Sequence, residues 1–225
     1  MRHQICRLII ALGCLAGVSA PAMASLFNCP PGSFLSAMDN NNFLGTGPFG
    51  EVCVTLTDST HALIQAETLD SFLMFGAGML GLQVNSTGFN IVGGAGGITG
   101  GTSPSYSVAF PGSTEDGFGK FDLSITNFDG PGSGTTYITF SLINTAGTWA
   151  NVSSVLAANA SGYDAAMQLA TCDGGDCGGL GFVSEHFTNG DVVPQPAPAP
   201  EPGMLSLLGI ALLAMSWPAL RRRMA

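Results

Sequence analysis

The sequence predicts an all-β fold, an antiparallel β-sandwich or jelly-roll, and three observations carry that prediction. Apolar residues recur at every second position in short runs, glycine- and proline-rich segments separate those runs, and one stretch alone suggests a helical turn. In "VCVTLTD", Val52, Val54 and Leu56 share one face and Cys53, Thr55 and Thr57 the other. In "KFDLSITNF", Phe121, Leu123 and Ile125 alternate with Asp122, Ser124 and Thr126. In "TYITFSLIN", Ile138, Phe140 and Leu142 stand opposite Tyr137, Thr139 and Ser141. Such alternation, rich in β-branched and aromatic residues, belongs to half-buried antiparallel strands. "FDGPGSG", "FPGSTEDGFG" and "VGGAGGITGG" carry the turn and loop chemistry between them. The last of these, Gly93 to Gly101, reads as a flexible loop, because no Gly-Lys-Ser/Thr follows to make a phosphate cradle. "NVSSVLAAN", Asn151 to Asn159, is the stretch that suggests a helical turn.

The two ends of the chain do not belong to this fold. Arg2 and Arg7 precede an apolar run from Leu8 to Val18, and Ala22 and Ala24 place small residues where a signal peptidase reads them. Residues 1–24 therefore form a secretory signal peptide, with cleavage between Ala24 and Ser25. The β-rich domain occupies residues 25–192. Residues 193–203 are a linker in which Pro194, Pro196, Pro198, Pro200 and Pro202 alternate with other residues, an extended semi-rigid spacer. Met204 to Leu220 carries no charge and spans about 25 Å as a helix, just long enough to cross or nearly cross a bilayer core of roughly 30 Å. Arg221, Arg222 and Arg223 stop transfer and hold residues 221–225 on the cytoplasmic side. The domain is thus exported across the inner membrane by the general secretion machinery.

Charge narrows the partners. Outside the two membrane signals the chain keeps one basic residue, Lys120, against fourteen carboxylates, a balance of −13. No nucleic-acid footprint is possible without clustered Lys and Arg, and an anionic surface repels such a body. Disorder, the alternative for a glycine-rich acidic chain, is disfavoured by the recurring Phe, Val, Ile and Leu in patterned runs.

Pro200-Glu201-Pro202, the apolar span and the terminal arginines, in that order, resemble the PEP-CTERM sorting signal of Gram-negative bacteria. The resemblance implies recognition by an exosortase, a membrane-embedded cysteine protease or transpeptidase, removal of the tail after transient membrane anchoring, and delivery to the cell surface or extracellular matrix. "DGFGKFDLSITNFDG" and "ITFSLINTAGTWANVSSVLAANASGYDAAMQLATC" are similar to the bodies of a recurrent group of tail-bearing proteins, a group with no activity to carry over.

Candidate chemistry is sparse. Cys6 and Cys14 leave with the signal peptide, and Cys29, Cys53, Cys172 and Cys177 remain. An even number in an exported protein reads as two disulfides, with three pairings open. Cys172 and Cys177 flank "DGGD", whose glycines allow a tight turn, which leaves Cys29 for Cys53. Asp173, Asp176, Glu115, Asp116 and Asp129 lie beside glycines and are candidate Ca²⁺ ligands, but no calcium-hand pattern links them, and no cofactor is expected. His61 and His186 are the body's histidines, and neither Gly-x-Ser-x-Gly nor His-Glu-x-x-His occurs. The expectation is a non-enzymatic surface or matrix protein. Its rival is a module that binds exopolysaccharide through exposed aromatics such as Tyr106, Tyr163 or Trp149; an exported hydrolase needs a constellation absent from the chain.

Overall fold

Alternation in sequence becomes alternation in burial. Over Tyr137–Asn144 the side chains run exposed, then buried at every second position, with Ile138, Phe140 and Leu142 inside. That is what a strand with one face on a core and one on solvent dictates. The computed structural model describes residues 29–41, 47–69, 72–101, 105–127, 134–173 and 176–186. The expectations placed on residues 1–24, 193–203 and 204–225 lie outside them. Among the described residues no helix is long and apolar enough to cross a membrane.

The first strands are β1 (Phe34–Met38), β2 (Asn40–Asn41), β3 (Gly50–Leu56), β4 (His61–Thr68) and β5 (Leu73–Met74). Next come β6 (Gly76–Leu82), β7 (Phe89–Ile91), β8 (Tyr106–Ala109), β9 (Thr114–Glu115) and β10 (Gly119–Lys120). The last are β11 (Leu123–Asn127), β12 (Tyr137–Asn144), β13 (Tyr163–Asp173) and β14 (Asp176–His186). One sheet has the order β1-β3-β4-β12-β7, and a larger one runs β2-β14-β13-β6-β11-β8 with β5 also on β13. A small β9–β10 ribbon completes the set. Each of these ladders is antiparallel, so the all-β antiparallel expectation holds.

Both sheets contribute to one hydrophobic cluster. Val52, Val54, Ile64 and Leu142 come from the first, and Leu80, Leu82, Leu123, Ile125 and Met167 from the second. A smaller cluster of Phe118, Phe121 and Ala166 lies on the opposite face of the larger sheet, since Ala166 alternates with the core residues Ala165 and Met167. Phe121 therefore departs from the sequence reading, which put it on one face with Leu123 and Ile125. It precedes β11 and its ring lies over Gly81, where an added Cβ would come within 2.9 Å of Cδ2. At Gly78 a Cβ would collide with the Glu115 carboxylate and the Phe182 ring. Glycines in β6 thus make the space that this outer layer fills.

Two local readings are refined. Within "NVSSVLAAN" the helix is a single 3₁₀ turn, Val152–Ser154, capped by the Asn151 side chain, which accepts from the Ser154 N–H at 3.0 Å. Gly93 to Gly101 is a shaped loop: Gly94–Gly97 forms a 3₁₀ turn, and Thr99 pairs with Thr139 of β12.

Candidate functional site

Of the residues singled out in the sequence, the cysteines are placed most definitely. Cys29 and Cys53 form a disulfide with Cα atoms 5.8 Å apart. The bond ties the segment before β1 to β3, and it explains why Cys53 is buried although its neighbours Val52 and Val54 face the core on the other side. Cys172 and Cys177 stand opposite each other in the β13–β14 register. Replacing Cys29 and Cys53 together by serine is expected to lower unfolding stability by roughly 3 kcal/mol, from the loss of the constraint on the unfolded chain. Urea denaturation checks this; an unchanged midpoint would remove the bond from the list of stabilising contacts. Ala24 and Ser25, Pro200-Glu201-Pro202 and Arg221–Arg223 lie outside the described residues.

The aromatics expected to bind sugar are not an exposed platform. Trp149 is 3 % exposed, belongs to the main core, and donates its Nε1–H to the Asn85 carbonyl at 3.0 Å. Tyr106 is buried and donates its hydroxyl to the Gly100 carbonyl at 2.6 Å. Tyr163 is half-buried and packs edge-on against Phe118. Burial of Trp149 and Tyr106 gains more than exposure because the polar end of each finds a partner. The large hydrophobics that do reach solvent, among the described residues, are Val92, Phe110 and Tyr137.

Phe110 is 44 % exposed and stands over a cleft of about 510 Å³ lined by Ser86, Thr87, Gly88, Phe89, Phe110, Pro111 and Asp122. The site is built where the two sheets meet at one side. Phe89 opens β7, an edge strand of the smaller sheet, and Phe110 follows β8, an edge strand of the larger. Their rings meet edge to face, with centroids 5.2 Å apart. The loop before β7 is held by its own polar groups: the Ser86 hydroxyl contacts both the Asn144 side-chain oxygen and the Gly88 carbonyl at 2.8 Å. Thr145 N–H also donates to the Gly88 carbonyl at 2.8 Å. Across the cleft, Gly112 N–H donates to the Asp122 carbonyl at 2.9 Å, and Gln83 Nε2 donates to one oxygen of the Asp122 carboxylate. A ring wall, a fixed carboxylate and hydroxyls are thereby positioned before any ligand arrives.

The other titratable groups serve the fold. His61 opens β4, with its Nδ1 3.0 Å from Oδ2 of Asp58 in the preceding turn. Asp58 Oδ1 accepts from the backbone N–H of Thr60 at 2.7 Å and of His61 at 2.8 Å. The Thr60 backbone and hydroxyl bonds, then the His61 ring, hold the Asp58 carboxyl well below its ordinary value. His186 ends β14. Glu115, a candidate calcium ligand, is buried under the outer layer, where its carboxylate accepts from Ser113 at 2.8 Å and Ser124 at 3.3 Å. Burial pushes its pKa up against the effect of those two bonds. Among the described residues, no three His, Cys, Asp or Glu side chains converge to hold a metal ion. Two asparagines also serve the fold: Asn151 caps the 3₁₀ turn, and buried Asn159 donates its amide to the Phe118 carbonyl at 2.9 Å.

Comparison with protein-family models, with curated proteins and with solved structures finds no match to this chain.

Proposed function

We propose that the chain is an exported, non-enzymatic surface or matrix protein, delivered through a processed carboxyl-terminal sorting signal. The observation that carries the reading is the Cys29–Cys53 disulfide in the antiparallel body. Such bonds persist in oxidising compartments outside the cytoplasm, which is where the amino-terminal signal directs the chain. The core shared by the two sheets supports a β-sandwich for this exported domain. Signal peptidase cuts between Ala24 and Ser25; an exosortase recognises Pro200-Glu201-Pro202 while residues 204–220 and Arg221–Arg223 hold the chain in the inner membrane.

The parts of the tail have separable roles. Replacing Pro200-Glu201-Pro202 by Ala-Ala-Ala is expected to leave insertion intact and abolish removal of the tail, since an apolar helix alone carries no address. The masses of tail-bearing and tail-free forms, in cells with and without an exosortase, measure it. Processing of the variant at the wild-type rate would replace the sorted protein with a permanent single-span anchor.

A second reading, a carbohydrate-binding module, is favoured by a specific observation: Phe110 exposes its ring over a polar, pre-shaped cleft.

A further inference from the structure

We infer that the Phe89–Phe110 cleft binds an uncharged polysaccharide, with Phe110 stacking on a sugar ring and Asp122 accepting hydrogen bonds from its hydroxyls. The inference rests on reading the body as an exported interaction domain and adds the site and the ligand class.

Four features lead there. First, the negative face of an aromatic ring attracts the polarised C–H bonds on the flat side of a pyranose, and Phe110 has a ring free to offer. Its edge-to-face contact with Phe89 holds it upright as a wall of the cleft. Second, the opposite side is polar. Gln83 occupies one oxygen of the Asp122 carboxylate, and the other makes no hydrogen bond among the described residues. A half-buried carboxylate oxygen of this kind accepts from a hydroxyl pair more strongly than a neutral acceptor does. Thr87 adds an exposed hydroxyl at the rim.

Third, charge selects against acidic polymers. No Lys or Arg lines the cleft, Asp122 does, and the exported body has one lysine against fourteen carboxylates. A uronate or sulfate group would meet repulsion here with no cation to offset it. Fourth, the shape disfavours an extended peptide. Peptides that add to a sheet need a length of open strand edge, whereas this cleft is walled by loop side chains and flanked by strands as short as Phe89–Ile91 and Tyr106–Ala109. The volume of about 510 Å³ falls in the range of small-ligand sites and suits a short stretch of a sugar chain.

Affinity electrophoresis of the protein produced from the full-length chain tests this, in gels containing laminarin, dextran, soluble starch or galactan, with alginate as the acidic comparison. Retardation by at least one neutral glycan and none by alginate is expected. Phe110→Ala is expected to weaken that binding by about tenfold, and Asp122→Asn to weaken it while an unchanged thermal midpoint shows the fold intact. Tyr137→Ala, which removes an exposed aromatic elsewhere, should leave binding unaltered. The inference is overturned if no neutral glycan retards the protein, if alginate retards it equally, or if Phe110→Ala binds as wild type. An exported protein that binds none of the glycans would sink the ligand assignment and leave the surface-protein reading standing. A protein retained in the cytoplasm would sink that reading instead.

Discussion

Thermal stability is expected to be highest near pH 4 and to fall as the pH rises to about 7, with Asp164→Asn removing most of the fall. Asp164 is wholly buried, and the register shift between Tyr163 and Ala165 marks it as the extra residue of a bulge in β13. One carboxyl oxygen accepts from Ser36 Oγ of β1 at 3.3 Å, which links the two sheets; the other has no hydrogen-bond partner among the described residues. Burial dominates and pushes the carboxyl from its ordinary 3.8 up to about 7, while the Ser36 hydroxyl and the backbone N–H groups of Asp164 and Ala165 pull the other way. A folded-state pKa above the unfolded one means that the native protein binds the proton more tightly. The stabilisation is therefore complete below about 3.8 and is lost as the pH rises through about 7. Its full size is on the order of 4 kcal/mol. Glu115, also raised by burial, adds to the same trend, whereas Asp58, held low on the surface, acts in the opposite sense at the acid end. Calorimetric scans at several pH values measure the slope. Equal slopes for wild type and Asp164→Asn would show that another group governs the pH response. Ser36→Ala removes the one hydroxyl on Asp164 and should destabilise the charged form further.

Trp149→Ala is expected to cost about 3–5 kcal/mol. The ring is 3 % exposed in the main core, and its Nε1–H supplies the Asn85 carbonyl. Asn85 in turn donates its side-chain amide to the Ser154 carbonyl at 3.0 Å, so the tryptophan supports the segment around the 3₁₀ turn as well as filling volume. Trp149→Phe keeps part of the volume and removes the donor, and is expected to lose about 1–3 kcal/mol. Denaturant titration separates the two. Unchanged stability for Trp149→Ala together with lost glycan retention would return this ring to the binding surface; the opposite result is what burial dictates.

Two of the strands legible in the sequence have one face largely open to solvent. "TYITFSLIN" and "VCVTLTD" alternate because solvent selects one set of side chains and the core the other, and they became β12 and β3. β13 and β6 escaped detection for opposite reasons. In β13 both faces are covered, so Asp164, Ala165, Ala166 and Met167 are all buried and no period of two survives. In β6 the sequence GAGMLGL offers poor strand formers, yet Gly78 and Gly81 are required by the Glu115 carboxylate and the Phe121 ring lying against them. The outer layer that makes glycine necessary is distant in sequence, and no local pattern announces it.

The candidate site divides in the same way. The sequence by itself determined the all-β class and the net acidity, because period and charge are local or additive properties, while of the three pairings open to four cysteines the structure shows Cys29–Cys53. Which aromatics reach solvent was decided by the tertiary structure alone. Trp149 and Tyr106 have partners for their polar ends, Asn85 and Gly100, and fold inward. Phe110 is held half outside where the edge strands β7 and β8 meet, since packing two sheets leaves their edges open. Exposure depends on what the rest of the chain brings alongside a residue, so it was set by sheet order and not by the identity of the ring.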